Sequence, residues 1–153
     1  MSDWVRWTLP AAAVAAVSPA YAVVYLSVEA AQKAAFPSAT RFVENDGRSW
    51  KAMAGDRLIG LVVIDHVIGK HLYIDYAVSI TGGRVRRVDI LAYRESYGGE
   101  VRSPSWLGQF VGKSSSSALK VGSDIRNISG ATLSSTHVTE GVKRILAAYG
   151  NAR

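Results

Sequence analysis

The 153-residue chain contains no cysteine. That excludes a disulfide framework, a thiolate metal site and a thiol nucleophile. Nor does it have an uninterrupted apolar run of about 20 residues, the length a membrane-spanning helix needs. It has no G-x-S-x-G elbow, no G-x-x-x-x-G-K-[ST] loop and no G-x-G-x-x-G turn, so hydrolase and nucleotide sites of those kinds are excluded. No internal repeat or domain boundary is visible. Among the three histidines, His66 and His71 sit five apart with no carboxylates spaced to join them. Structural roles suit them better than metal binding.

What is present fits one globular domain with enough chain to bury a core. Residues 1–22 read as an export signal. Arg6 gives a short basic start, Leu9 to Val17 an Ala-rich apolar stretch, and Ala20-Tyr21-Ala22 an A-x-A cleavage site. An uncleaved N-terminal anchor is the alternative, because Val23 to Leu26 prolong the apolar character. Residues 23–153 form the single domain. Cleavage removes one base (Arg6) and one acid (Asp3), so the net charge of +6 is unchanged. Export makes nucleic acid an unsuitable partner for that charge. An anionic ligand, an acidic partner or an anionic membrane surface fits better.

The patterning predicts an α+β domain: an antiparallel sheet with an N-terminal and a C-terminal helix packed on it. Val24 to Ala35 has helical spacing, with Ser27 as N-cap and Phe36-Pro37 as the stop. Thr40 to Trp50 reads as irregular around an Asn45-Asp46-Gly47 turn. Leu58 to Ile68 is an apolar strand broken by Gly69-Lys70-His71. Leu72 to Ile80 alternates, with Leu72, Ile74, Tyr76, Val78 and Ile80 on one face. Thr81-Gly82-Gly83 turns it into a return strand, Val85 to Tyr93, with Arg86, Arg87 and Asp89 largely outward. Ser105 to Val111 is one or two helical turns, Leu119 to Ile128 is extended, and His137 to Tyr149 is an amphipathic helix capped by Gly150.

Ser129-Gly130-Ala131-Thr132 precedes that last helix. Gly130 permits close backbone approach to a ligand. Thr132 offers a hydroxyl, and Ser134, Ser135 and Thr136 offer an N-cap. A helix start attracts anions, although the same residues suit any ordinary cap. His137 could meet a phosphate there or simply be solvated.

The tetrapeptide with Leu133, Ser134 and Ser135 resembles the flavinylation motif of the FMN-binding domain family, which carries flavin covalently on threonine. The run Tyr93-Arg94-Glu95-Ser96-Tyr97-Gly98-Gly99, leading to Trp106-Leu107-Gly108-Gln109-Phe110, is similar to the flavin-facing loop and helix of its small exported members. The family pattern usually places an aspartate three residues before the serine. Here Arg126 stands there, with Asp124 two residues upstream. The resemblance implies FMN joined to Thr132 by a separate flavin transferase. Ser129, Gly130, Ala131, Leu133, Ser134, Ser135, Asp124, Glu95, Tyr97, Gly98 and Gly99 would then lie around the cofactor. Trp106, Leu107 and Phe110 would form an apolar wall. Lys70 and His71, with Arg102 and Lys113, would tune the flavin. The implied function is periplasmic electron transfer with a membrane-bound or periplasmic redox partner, the protein being the acceptor in attachment rather than its catalyst. The alternative is an exported module that holds FMN or another anion non-covalently.

Overall fold

A computed structural model describes residues 23–151; the export signal assigned to residues 1–22 lies outside them. The domain is a six-stranded antiparallel sheet between two helical layers, the α+β architecture expected. Its elements are β1 (Val23–Val24), α1 (Val28–Ala35), β2 (Arg41–Glu44), β3 (Ser49–Ala54), β4 (Arg57–Ile68), β5 (Tyr73–Thr81), β6 (Arg84–Tyr93), α2 (Pro104–Leu107) and α3 (Thr132–Tyr149). Strand order is β1-β6-β5-β4-β3-β2.

The β4–β6 meander is the rigid centre. Its β5–β6 turn is closed by Thr81 opposite Arg84, with Gly82 and Gly83 both at positive φ, the conformation a two-residue hairpin loop demands. The expected alternation along β5 is present, yet both faces are covered. Ile74, Tyr76, Val78 and Ile80 pack toward α3, and Ala77 packs toward α1. Asp89 is accordingly buried beside Arg87 at 2.7 Å rather than directed outward.

Helix α1 starts where Ser27 accepts the Ala30 N–H at 3.1 Å. The expected helix over Val24 to Ala35 therefore begins at Val28, because Val23 and Val24 pair with Tyr93 and Ala92 as an edge strand. At its other end Phe36 lies over Gly60, where a Cβ would collide with the ring and stand 2.7 Å from the Ile80 carbonyl.

Three further expectations need correcting. Thr40 to Trp50 is not irregular: it contains β2 and the start of β3, joined through Asn45, Asp46 and Gly47. Most of β2 is exposed at the sheet edge, so it lacks an apolar alternation. Leu119 to Ile128 is a set of turns with one parallel bridge, Val121 to Ile125, and Gly122 and Leu119 at positive φ. Helix α3 begins at Thr132, five residues before the apolar stripe reveals it, so Ser134, Ser135 and Thr136 lie inside the helix instead of capping it.

Candidate functional site

Helix α3 is 18 residues long, and its N-cap is Ala131, which provides no side-chain cap. The first N–H groups of a helix have no intrahelical acceptor. Those of Thr132, Leu133 and Ser134 therefore stand open, with the positive end of the helix dipole behind them. Gly130, at φ +81°, sets the chain into this helix start.

In front of that helix end is a cleft of about 510 Å³, within the ordinary range for a small-molecule site. Its walls come from three separated segments: Lys70 and His71; Glu95, Ser96 and Tyr97; and Gly130 to Ser134. Two exposed apolar side chains stand at its mouth, Tyr97 at 85% and Leu133 at 50%.

Specific contacts bring the three segments together. Glu95 Oε1 accepts the N–H groups of His71 and Leu72, the latter at 2.8 Å. Gly69 makes room, since a Cβ there would meet Glu95 Oε1 at 3.0 Å. Burial pushes the Glu95 carboxyl up, but the backbone donors and the His71 charge outweigh it and hold the group below its ordinary value. Tyr93 donates its hydroxyl to the Tyr97 carbonyl. Gly98 then packs on the helix start, where a Cβ would meet the Ala131 methyl at 2.8 Å and the Tyr93 hydroxyl at 2.9 Å. His137 Nδ1 lies 2.7 Å from the Ile68 carbonyl, which ties the first turns of α3 to the end of β4.

Thr132 itself is exposed. Asn127 Nδ2 donates to its Oγ1 at 3.2 Å, while Asn127 Oδ1 accepts the Ser135 hydroxyl at 3.2 Å. The Ser135 hydroxyl also lies 3.0 Å from the Ala131 carbonyl, inside the first turn. Asn127 was not expected from sequence, since a lone amide there follows no motif, whereas the cleft-lining Ser96 belongs to the run read as the flavin-facing loop.

Of the expected site residues, Lys70, His71, Glu95, Tyr97, Gly130, Ala131, Thr132, Leu133 and Ser134 line this cleft. Ser135 is buried behind it. Gly98 and Gly99 line a shallower adjoining hollow with Arg102. Ser129 is exposed outside the lining. The expected apolar wall is not there. Trp106 (4% exposed) and Phe110 (fully buried) stack edge-to-face in the core, and Trp106 Nε1 donates to the Arg126 carbonyl at 2.8 Å. Leu107 joins the same core cluster. Their helical spacing suited a core as well as a ligand wall.

Asp124 is also committed elsewhere. It accepts the N–H groups of Lys120 at 2.9 Å and Leu119 at 3.0 Å and pairs with Lys113 at 3.1 Å. The Lys120 backbone donor, against some burial, leads the interactions that hold its carboxyl at about 2. A carboxyl depressed in the folded state stabilises fully above its ordinary value and loses that contribution as pH falls through the folded one. Urea unfolding of wild type should therefore weaken between pH 4 and pH 2. Asp124→Asn should cost about 1–2 kcal/mol at neutral pH, and its deficit should shrink over that window. An unchanged deficit at pH 2 would show that the carboxylate charge is not what holds the turn.

Arg126 turns its guanidinium toward α2, with Nη2 3.3 Å from the Ser105 carbonyl and Nε 3.3 Å from Gln109 Oε1. Among the described residues, no group of three histidine, aspartate or glutamate side chains converges as a metal site, and no helix is long and apolar enough to cross a membrane.

Residues 69–147 match the family described as FMN-binding domain. The match spans all three walls of the cleft. No curated protein matches the chain.

Proposed function

The chain belongs to the FMN-binding domain family, and from that premise we propose that it is a periplasmic electron carrier holding FMN covalently through a phosphoester to Thr132. The observation that carries this is the helix start without a side-chain cap, with an exposed threonine hydroxyl as its first residue, opening on the cleft.

The donor set suits the group. Thr132, Leu133 and Ser134 offer main-chain N–H groups to a phosphate. Lys70 adds positive charge at the opposite wall. Tyr97 and Leu133 offer exposed apolar surface to a planar ring. Flavin supplies one- and two-electron chemistry when bound. The protein's part is positioning and electrostatics. Asn127 holds the Thr132 oxygen, Glu95 keeps the Lys70-His71 turn against the cleft, and the Lys70 ammonium favours an anionic ring. A covalent link also keeps a cofactor from being lost by dilution outside the cell.

The experiment is the intact mass of the full chain produced together with a flavin transferase. A stable adduct of FMN less water is expected. The bare polypeptide mass, with FMN recovered only in the native state, would overturn the covalent assignment. It would favour the second possibility, a module that holds FMN non-covalently. Arg126 at the position where the family motif usually has aspartate is the observation on that side.

A further inference from the structure

On the side of the sheet edge formed by β6 lies a second cleft, of about 750 Å³. It is formed along an incomplete sheet edge. The outer edge of β6 is paired at both of its ends. At one end Val23 and Val24 face Tyr93 and Ala92, and Tyr25 donates to the Leu91 carbonyl at 2.9 Å. At the other, Val85 exchanges hydrogen bonds of 2.8 Å with Lys113 and Gly112. Between these pieces, Arg86 to Ile90 have no strand partner on the outer side among the described residues. The gap is five residues, roughly 16 Å of extended chain. Helix α1 walls it on one face through Ala34 and Ala35; Leu107, Gly108 and Val111 wall it on the other.

The charge of this gap is one-sided. Arg86, Arg87 and Arg102 line it, against the single carboxylate of Asp89, which Arg87 already pairs. Arg102 lies over the Tyr25 ring at 4.1 Å and makes no ion pair among the described residues. Like charges brought directly opposite one another across a strand pair destabilise the pairing. A second copy of this chain would bring the same arginines and be repelled.

We propose that this gap is a docking groove for an extended acidic peptide segment of a partner protein, which adds a short strand to β6 while its carboxylates meet Arg102 and its neighbours. Strand addition gives affinity through main-chain hydrogen bonds and selectivity through alternate side chains. The groove is distinct from the Thr132 cleft, so its occupancy does not depend on the flavin assignment.

The test uses the full chain and a dye-labelled, end-blocked heptapeptide of alternating glutamate and valine, read by fluorescence anisotropy. Two further peptides carry backbone N-methyl groups on alternate residues, one for each pairing register. A fourth replaces glutamate with lysine. Expected are binding of the first peptide, at least tenfold weaker binding of the N-methylated peptide that blocks the register used, and at least tenfold weaker binding of the lysine peptide. Arg102→Glu should weaken the glutamate peptide tenfold or more and strengthen the lysine peptide. Ala34→Trp, at an exposed lining position, should plug the groove and abolish binding, with the thermal midpoint showing that the variant is folded. Hydrogen exchange at residues 86–90 should slow when the peptide binds. Equal binding of plain and both N-methylated peptides would overturn strand addition. No binding by the full chain, through occupation by residues 1–22 or by a second copy, would overturn the groove as a partner site.

Discussion

Alanine in place of Thr132 should eliminate every trace of flavin that survives denaturation, while serine should retain it. The loss is complete because a phosphoester at this position needs the side-chain oxygen, and the two serines that follow in the same helical turn do not present theirs. Ser134 and Ser135 are buried, and the Ser135 hydroxyl lies within hydrogen-bond reach of the Asn127, Ala131 and Thr132 oxygens. Stability should barely change. The Thr132 side chain is exposed and its one side-chain partner is Asn127, so the cost is about 1 kcal/mol or less. Flavin fluorescence in a denaturing gel, with the thermal midpoint as a folding control, separates these effects. A fluorescent band from the alanine variant would mean that attachment occurs at another residue.

Gly141→Ala is expected to be the most damaging single-methyl change in α3. In an open helix the same substitution stabilises by about 1 kcal/mol. Here the added carbon would lie 2.9 Å from Tyr76 Cζ, closer still to the Tyr76 hydroxyl, and 3.0 Å from Val67 Cγ1. Tyr76 is fully buried, and its hydroxyl lies 3.4 Å from an Asp65 carboxylate that also meets Arg144 at 3.0 Å. The ring cannot give way without disturbing that group, so the helix must lift from the sheet. Overpacking of this kind costs about 1–3 kcal/mol, occasionally more. Set against the helix-propensity gain, a net loss of about 1–2 kcal/mol is expected, a fall of roughly 3–10 °C in the thermal midpoint. Tyr76→Phe removes the nearest clashing atom and should recover part of the loss in a double-mutant cycle. A Gly141→Ala variant as stable as wild type would show that the packing is looser than these distances require.

What the sequence makes legible follows the physics of each segment. Strands β4 to β6 declare themselves because a strand packed on its neighbours must alternate or be continuously apolar, and Gly82-Gly83 marks the turn between β5 and β6. The edge strand β2 does not, because its residues face solvent on most sides. The start of α3 is hidden for a related reason. Residues 132–136 are mostly small and hydroxylated, and nothing in their pattern separates a first helical turn from the loop before it. The motif and the Glu95-Tyr97 loop could be read together from sequence and do meet in space. Trp106 and Phe110 could not be assigned, since aromatic side chains spaced to reach a ligand are equally spaced to reach a core. Asn127 was invisible because its role depends on the return of the chain at Ser135, a contact eight residues away.

The three walls of the Thr132 cleft come from residues near 70, 95 and 130, so no two of them are neighbours in the chain. The last wall is the first turn of α3, the final helix. As the chain is made, the strands and the Glu95 loop emerge first and wait for the segment that completes the site. Closing such distant segments is the slow, entropically costly part of folding. If the proposed transferase recognises Thr132 beside the Lys70 turn, it would meet its target only in finished molecules. Attachment of flavin would then act as a mark of completed folding, present on assembled chains and absent from those still searching for their native arrangement.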